Sequence, residues 1–193
     1  MNTEFEATFT DINKDNLRKK LKDIGANLVT KERLMRRWSF DFEHPDDGFD
    51  RWARVRDEGD KIVLTVKEHN PGNEDEIGHQ KESEVEVDDF DEAVSILETV
   101  GCWKRMYKEQ KREGWQKGNI EIVIDTWPHL EPLVEIEGPS EQAVKEAAKE
   151  LGFDWENAVF AGTGRVYENK YGVFPDDMED LRQLTFDADN PFI

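Results

Sequence analysis

Three acidic doublets and one basic doublet share a spacing in this chain: Glu4-Phe5-Glu6, Glu84-Val85-Glu86, Glu135-Ile136-Glu137 and Arg54-Val55-Arg56. On a β-strand, side chains two residues apart point to one face. Each doublet therefore aims two like charges in one direction if its segment is extended. Several carboxylates on facing strands suit Mg²⁺ or Mn²⁺, hard cations that prefer oxygen ligands. Arginine grips phosphate oxygens as a bidentate fork, and lysine acts as a point charge. Together they suit a metal-bound polyphosphate, where cations stabilise the charge that develops as a phosphoryl bond breaks. Any one doublet is ordinarily a solvated strand face. The chemistry rests on their co-occurrence in strand register.

The segments holding these residues follow a repeated plan. Each acidic doublet lies in a strand-like stretch, followed by an Asp or Ser cap, an amphipathic helix and a glycine. The helices carry Leu17, Leu21 and Ile24 before Gly25; Ala93, Val94, Ile96, Leu97 and Val100 before Gly101; and Val144, Ala147, Ala148 and Leu151 before Gly152. Apolar residues at three- and four-residue steps form one helix face, the caps satisfy orphan amides, and glycine permits a left-handed C-terminal turn. Period-two stretches at 31–42, 52–56, 61–67, 104–112 and 119–125 read as further strands. Asp57-Glu58-Gly59-Asp60 reads as a hairpin turn and residues 69–79 as a loop. This gives about eight strands and three or four helices, an α+β domain.

Arg37, Lys67, Lys108, Arg112 and Asp125 fall on the polar faces of their strands by the same period. The opposite faces are Phe, Ile, Leu and Val. A sheet could show the polar face to water. Alternatively, it could close into a barrel with the polar face inward and helices on the apolar outside, leaving no edge and creating a charged channel.

Composition narrows the partners. With 26 basic and 45 acidic residues the net charge is −19, which opposes binding to nucleic acid or an anionic membrane surface. It does not oppose small polyphosphates, because bound dications invert the local field. The one cysteine, Cys102, excludes an internal disulfide and reads as a packed small residue. His44, His69, His79 and His129 lack metal-ligand spacing and read as surface residues. No apolar stretch has transmembrane length and the start lacks signal-peptide features, so a cytoplasmic protein is expected, as monomer or homodimer. The residues from 174 on are acidic and read as a tail to a domain of residues 1–173. Met178, Leu181, Leu184 and Phe186 could order part of it.

These motifs, in order, resemble a CYTH domain over roughly residues 2–172. CYTH domains belong to the triphosphate tunnel enzymes, which include class IV adenylyl cyclases and thiamine triphosphatases. The resemblance is carried by Glu4-Phe5-Glu6, Arg54-Val55-Arg56, Leu64-Thr65-Val66-Lys67, Glu84-Val85-Glu86, Lys111-Arg112-Glu113, Asp125-Thr126-Trp127-Pro128 and Val134-Glu135-Ile136-Glu137-Gly138. It implies a closed eight-stranded antiparallel tunnel with a polar interior, and Mg²⁺ or Mn²⁺ as cofactor. By that resemblance Glu4, Glu6, Glu135, Glu137 and Asp125 would be metal ligands. Arg37, Arg54, Arg56, Lys67, Lys108 and Arg112 would hold the triphosphate, with Lys67, Glu84 and Glu86 nearest the chemistry. The expected activity is hydrolysis of inorganic or organic triphosphates, with cyclisation of ATP, or triphosphate binding without turnover, as alternatives. The chain departs from the pattern twice. Thr8 stands where the opening motif usually has lysine, and Gln110 stands at another expected lysine, where Lys108 on the same face could compensate.

Overall fold

The computed structural model describes all residues except 71, 73–75 and 179. Pro71, part of the expected loop, lies outside the described residues.

The N-terminal run closes the sheet. Its first part, β1 (Asn2–Thr3), pairs antiparallel with β6 (Gln80–Val87). Its second part, β2 (Phe5–Phe9), pairs antiparallel with β9 (Leu133–Gly138). Between these ends stand β3 (Asn27–Asp41), β4 (Asp50–Asp57), β5 (Ile62–His69), β7 (Trp103–Lys117) and β8 (Ile120–Thr126). The order is β1-β6-β5-β4-β3-β7-β8-β9-β2. Both ends of this path belong to one continuous segment, interrupted only at Glu4, whose amide donates to the Gln80 carbonyl at 3.0 Å. With β1 and β2 counted as one stave, the nine strands of the path make eight antiparallel staves around a ring. The sheet is thus nearly closed, which leaves little edge for other chains to pair with.

Helices form where the sequence period places them: α1 (Lys14–Asp23), α2 (Phe90–Thr99) and α3 (Glu141–Glu150). Asn13, Asp89 and Ser140 cap their N-termini by accepting from amides three residues on. Each helix ends on a glycine with positive φ, and the residue after it donates back five positions, as Ala26 does to Leu21. All three helices pack on the outside of the barrel. Leu17, Leu21, Val144, Ala148 and Leu151 bury against Ala7, Phe9, Ile122, Ile124, Val134 and Ile136. Phe90, Ala93 and Val94 cover Phe40, Ala53 and Val55. Each fully buried aliphatic side chain contributes about 1.5–3 kcal/mol. Burying these alternate residues outward turns the polar residues between them inward.

At Gly138 the end of β9 meets α3 and β8. A Cβ there would lie 2.7 Å from Ile120 Cδ1 and 3.3 Å from Val144 Cγ2. Gly138→Val should therefore cost about 1–3 kcal/mol by overpacking, read as a lowered midpoint in urea denaturation.

A fourth helix, α4 (Gly162–Tyr171), and the C-terminal segment pack over one part of the ring. Val166 and Tyr167 join Met106, Trp127, Leu130, Leu133 and Leu184 in a third apolar cluster. Strand β10 (Gln183–Leu184) runs parallel to Tyr107–Lys108 of β7. It covers an edge that β8 leaves open, since β8 pairs only with Lys111–Lys117. Pro175, Leu184 and Thr185 are buried, so the acidic segment from 174 on is built onto the barrel.

Candidate functional site

The inward side chains line a cavity of about 690 Å³. Its walls have opposite signs. Arg56 of β4 stands directly across from Arg37 of β3, and Arg37 directly across from Lys108 of β7. On the other wall Glu6 of β2 faces Glu137 of β9, and Glu137 faces Glu121 of β8. In the ring order the N-terminal stave lies four staves from β3, so these like-charged rows confront one another across the lumen. Like charges abreast in a sheet are destabilising. Two such rows therefore weaken the protein unless oppositely charged groups complete them.

The cationic wall is incompletely compensated. Arg37 is 7% exposed, its Nη2 has no hydrogen-bond partner, and its guanidinium lies 4.6 Å over the Trp127 ring. Burial, together with Arg54, Arg56 and Arg112, pushes its pKa well below the usual arginine range. Arg54 is likewise lowered, to about 10, by burial and by Arg56. Its Nε donates to Thr65 Oγ1 at 3.3 Å, while Glu82 and Glu84 lie 4.0 and 3.9 Å from its Nη2. Arg56 is ion-paired to Glu58 at 2.5 Å.

The acidic wall shows the converse. Burial raises the carboxyl pKa of Glu137 to about 7, aided by Glu4, Glu121 and Glu82. Glu6 and Glu135 are raised for the same reason, each reinforced by neighbouring carboxylates. Two of the acids are held by cations. Both oxygens of Glu4 accept from Lys67 Nζ at 2.8 Å, and Glu135 accepts from Arg112 at 2.5 Å. In this arrangement no group of three or more acidic, histidine or cysteine side chains among the described residues is positioned to hold a metal ion. The donor set still fits a hard dication. Glu4, Glu6, Glu135 and Glu137 offer only carboxylate oxygens, and their mutual repulsion is what a dication relieves.

The expected site residues mostly converge here. Glu4, Glu6, Arg37, Arg54, Arg56, Lys67, Glu84, Lys108, Arg112, Glu135 and Glu137 all line the cavity. Two of the expected residues lie outside this cavity wall. Glu86 is exposed, lies outside the cavity wall and pairs across from Val63 near the strand end. Glu82 takes its place, 3.5 Å from Lys67. Asp125 is fully buried behind Arg112, accepting from its Nε at 2.9 Å and its Nη2 at 2.5 Å, and from Gln110 Nε2 at 3.2 Å. It aims that guanidinium. Asp125 and Glu135 hold Arg112 well above the ordinary arginine pKa despite burial.

The two departures are resolved structurally. Thr8 is buried and its backbone pairs with Val159. Gln110 spends its amide on Asp125, and Lys108 gives its ammonium to Asp176, both of whose oxygens lie at 2.9 Å. Lys108 thus lines the cavity with its ammonium engaged by a carboxylate from the C-terminal segment.

Residues given no role from sequence also line the cavity: Trp52, Glu82 and Tyr167, with Phe174–Asp177, and His69 and His79, which are expected at the surface and are half-buried in this wall. The Tyr167 hydroxyl donates to the Pro128 carbonyl at 2.6 Å, and burial pushes its pKa up. Period two would have found Glu82 beside Glu84, and Trp52 beside Arg54. Nothing local marks Asp176, which reaches Lys108 from 68 residues away.

No helix of the described residues is long and apolar enough to cross a membrane. A comparison with curated protein sequences finds no match. Solved structures share the fold. The PH1012 protein of Pyrococcus horikoshii OT3 superposes with a TM-score of 0.66 at 20% identity, covering 80% of this chain and 93% of its own. A Vibrio parahaemolyticus protein named "putative adenylate cyclase" gives 0.65 at 15% identity, covering 81% and 92%. A Hippeastrum protein named "putative adenylyl cyclase HpAC1", described as having a dominant triphosphatase activity, gives 0.57 at 16%, covering 90% and 99%. The family model for the CYTH domain matches residues 4–159, and this chain belongs to that family.

Proposed function

We propose that this protein hydrolyses small triphosphates, inorganic or organic, in its tunnel with Mg²⁺ or Mn²⁺. The observation that carries this reading is the pair of confronted charge rows, with an unpartnered, buried Arg37 guanidinium donor between Arg56 and Lys108. A polyphosphate answers the cationic wall and dications answer the acidic one. When bound, the metal would be held by Glu4, Glu6, Glu135 and Glu137 and would neutralise charge on phosphate oxygens. Arg37, Arg54, Arg56 and Arg112 orient the phosphate groups by charge-assisted hydrogen bonds. Asp125 keeps the Arg112 guanidinium aimed. Lys67, here engaged by Glu4, would be free to contact phosphate oxygens if that carboxylate held a metal. Arg37, Arg54, Arg56 and Glu135 are buried, which strengthens their interactions relative to exposed groups.

Trp52, His69 and His79 line the same cavity and offer rings to the organic part of a substrate. They favour an organic triphosphate and keep open a second reading, cyclisation of ATP. One assay separates the readings: purified protein with Mg²⁺ or Mn²⁺ and tripolyphosphate, thiamine triphosphate or ATP. Orthophosphate release supports hydrolysis. Cyclic AMP with pyrophosphate supports cyclisation. Binding without any product points to a non-catalytic receptor, and no binding at all rejects the tunnel reading.

A further inference from the structure

The row Arg56–Arg37–Lys108 is neutralised at both ends by carboxylates from outside the strand faces. Glu58, from the β4–β5 turn, takes Arg56. Asp176, from the C-terminal segment, takes Lys108 through both oxygens at 2.9 Å and lies 4.0 Å from Arg105. Among the described residues, Arg37 Nη2 in the middle of the row and Arg56 Nε both keep a buried donor without a partner. The cationic wall is thus a bounded strip.

Asp176 is fixed on both sides in the chain. It lies in a 3₁₀ turn, Pro175–Asp177, in which Pro175 is buried. Before it, Phe174 packs on Gly164, where a Cβ would come within 2.9 Å of the ring, and the Arg165 guanidinium lies 5.2 Å over that ring. After it, Leu184 is buried and its strand pairs with Tyr107 and Lys108 themselves, and the Phe186 amide donates to Glu109 at 3.1 Å. The carboxylate is therefore part of the cavity wall, anchored by the β-stave that carries Lys108.

We propose that Asp176 limits the length of the phosphate chain that the tunnel accepts, an inference that rests on the triphosphate reading above. A chain seated on Arg54, Arg56 and Arg37 that extends toward Lys108 meets the fixed negative charge of Asp176 in the cavity wall. Such like-charge juxtaposition is strongly penalised. Asp176 also occupies the ammonium that would receive the next phosphate. The substrate class follows: short linear polyphosphates and triphosphate esters are admitted, and longer polyphosphates are rejected.

The test is calorimetric binding of tripolyphosphate and tetrapolyphosphate to the full chain, with Ca²⁺ as the supporting oxygen-seeking dication. Wild type should bind tripolyphosphate more tightly. Asp176→Asn should tighten tetrapolyphosphate binding by roughly tenfold or more relative to tripolyphosphate, and Asp176→Glu should keep the wild-type ratio. Asp176→Ser repeats the neutralisation with a smaller side chain. An unchanged ratio in folded Asn and Ser variants overturns the proposal. So does loss of folding in both, judged by circular dichroism, because Asp176 would then be structural. If wild type binds neither polyphosphate, the triphosphate reading itself fails. That outcome is distinct from tight tripolyphosphate binding with no change in selectivity.

Discussion

Arg37→Met will bind tripolyphosphate far more weakly than wild type while melting at a higher temperature. The two effects have one cause. Arg37 is buried among Arg54, Arg56 and Arg112, and its Nη2 donates to nothing. A buried charge in such surroundings costs several kcal/mol, and an apolar replacement of similar volume is commonly neutral or stabilising by about 1–4 kcal/mol. Methionine also keeps contact with the Trp127 ring, through a sulfur–aromatic interaction in place of the cation. Each kcal/mol gained raises the melting midpoint by about 2–4 °C at this size. The ligand loses a charge-assisted contact at the centre of the cationic row. Truncating one member of a buried charge pair costs about 2–5 kcal/mol, and 1.4 kcal/mol is tenfold. The dissociation constant should therefore rise roughly 30- to 4,000-fold. Calorimetric titration and a thermal melt on the same preparation check both. A variant that melts lower and binds equally well would show that Arg37 serves the fold.

Glu137→Gln should abolish metal-dependent turnover, with metal affinity reduced at least a hundredfold, the upper end of what losing even an outer-shell partner costs. The fold should survive and become less sensitive to pH. The sign follows from protons bound. The carboxyl of Glu137 titrates near 7, and those of Glu6 and Glu135 are also raised, all chiefly through burial. Between the ordinary carboxylate range and about 7, the metal-free folded state holds more protons than the unfolded chain. Stability therefore falls as pH rises through that window. Metal-free wild type should melt higher at pH 5 than at pH 8, and added Mg²⁺ should restore part of the difference. The overall charge of −19 adds self-repulsion in the same direction. The diagnostic quantity is therefore the difference between variant and wild type, which should be largest at pH 8, with the variant the more stable. Equal pH profiles in thermal melts would remove Glu137 from the acidic wall.

Strand register explains why so much of this was legible in the sequence. Period two at Arg54/Arg56, Glu135/Glu137 and Lys108/Arg112 fixed which side chains share a face. The apolar alternates Ile122, Ile124, Val134 and Ile136 required helices outside. Charge pattern could not fix depth. Asp125 obeys the same period as Arg112 but lies one layer behind it, because the guanidinium is long and the carboxylate short. Glu86 obeys the period as well as Glu82 and Glu84 do, but which pair reaches the cavity depends on where β5 ends and how far the staves are staggered. That stagger is a property of barrel closure, not of any one strand. The C-terminal segment was legible only in part: Leu184 is among the apolar residues expected to order it, and it is buried. Its composition reads as an acidic tail, and where it docks depends on a tertiary pairing, Leu184 with Lys108, that no local pattern marks.

The ring is joined at Glu4 by a short splice. Only Asn2 and Thr3 pair with β6 there, helped by one amide contact to Gln80. By contrast β3 and β7 pair along most of their length. Breathing of the barrel should therefore begin at this join, and amide hydrogen exchange at residues 2–4 and 80–82 should be the fastest of any paired strand. Glu4 sits on the hinge of that opening, its amide on Gln80 and its carboxylate held by Lys67 of β5. A cation bridging Glu4 to the β9 carboxylates would act as a rivet, and loading would appear as slowed exchange at the splice before it appeared anywhere else.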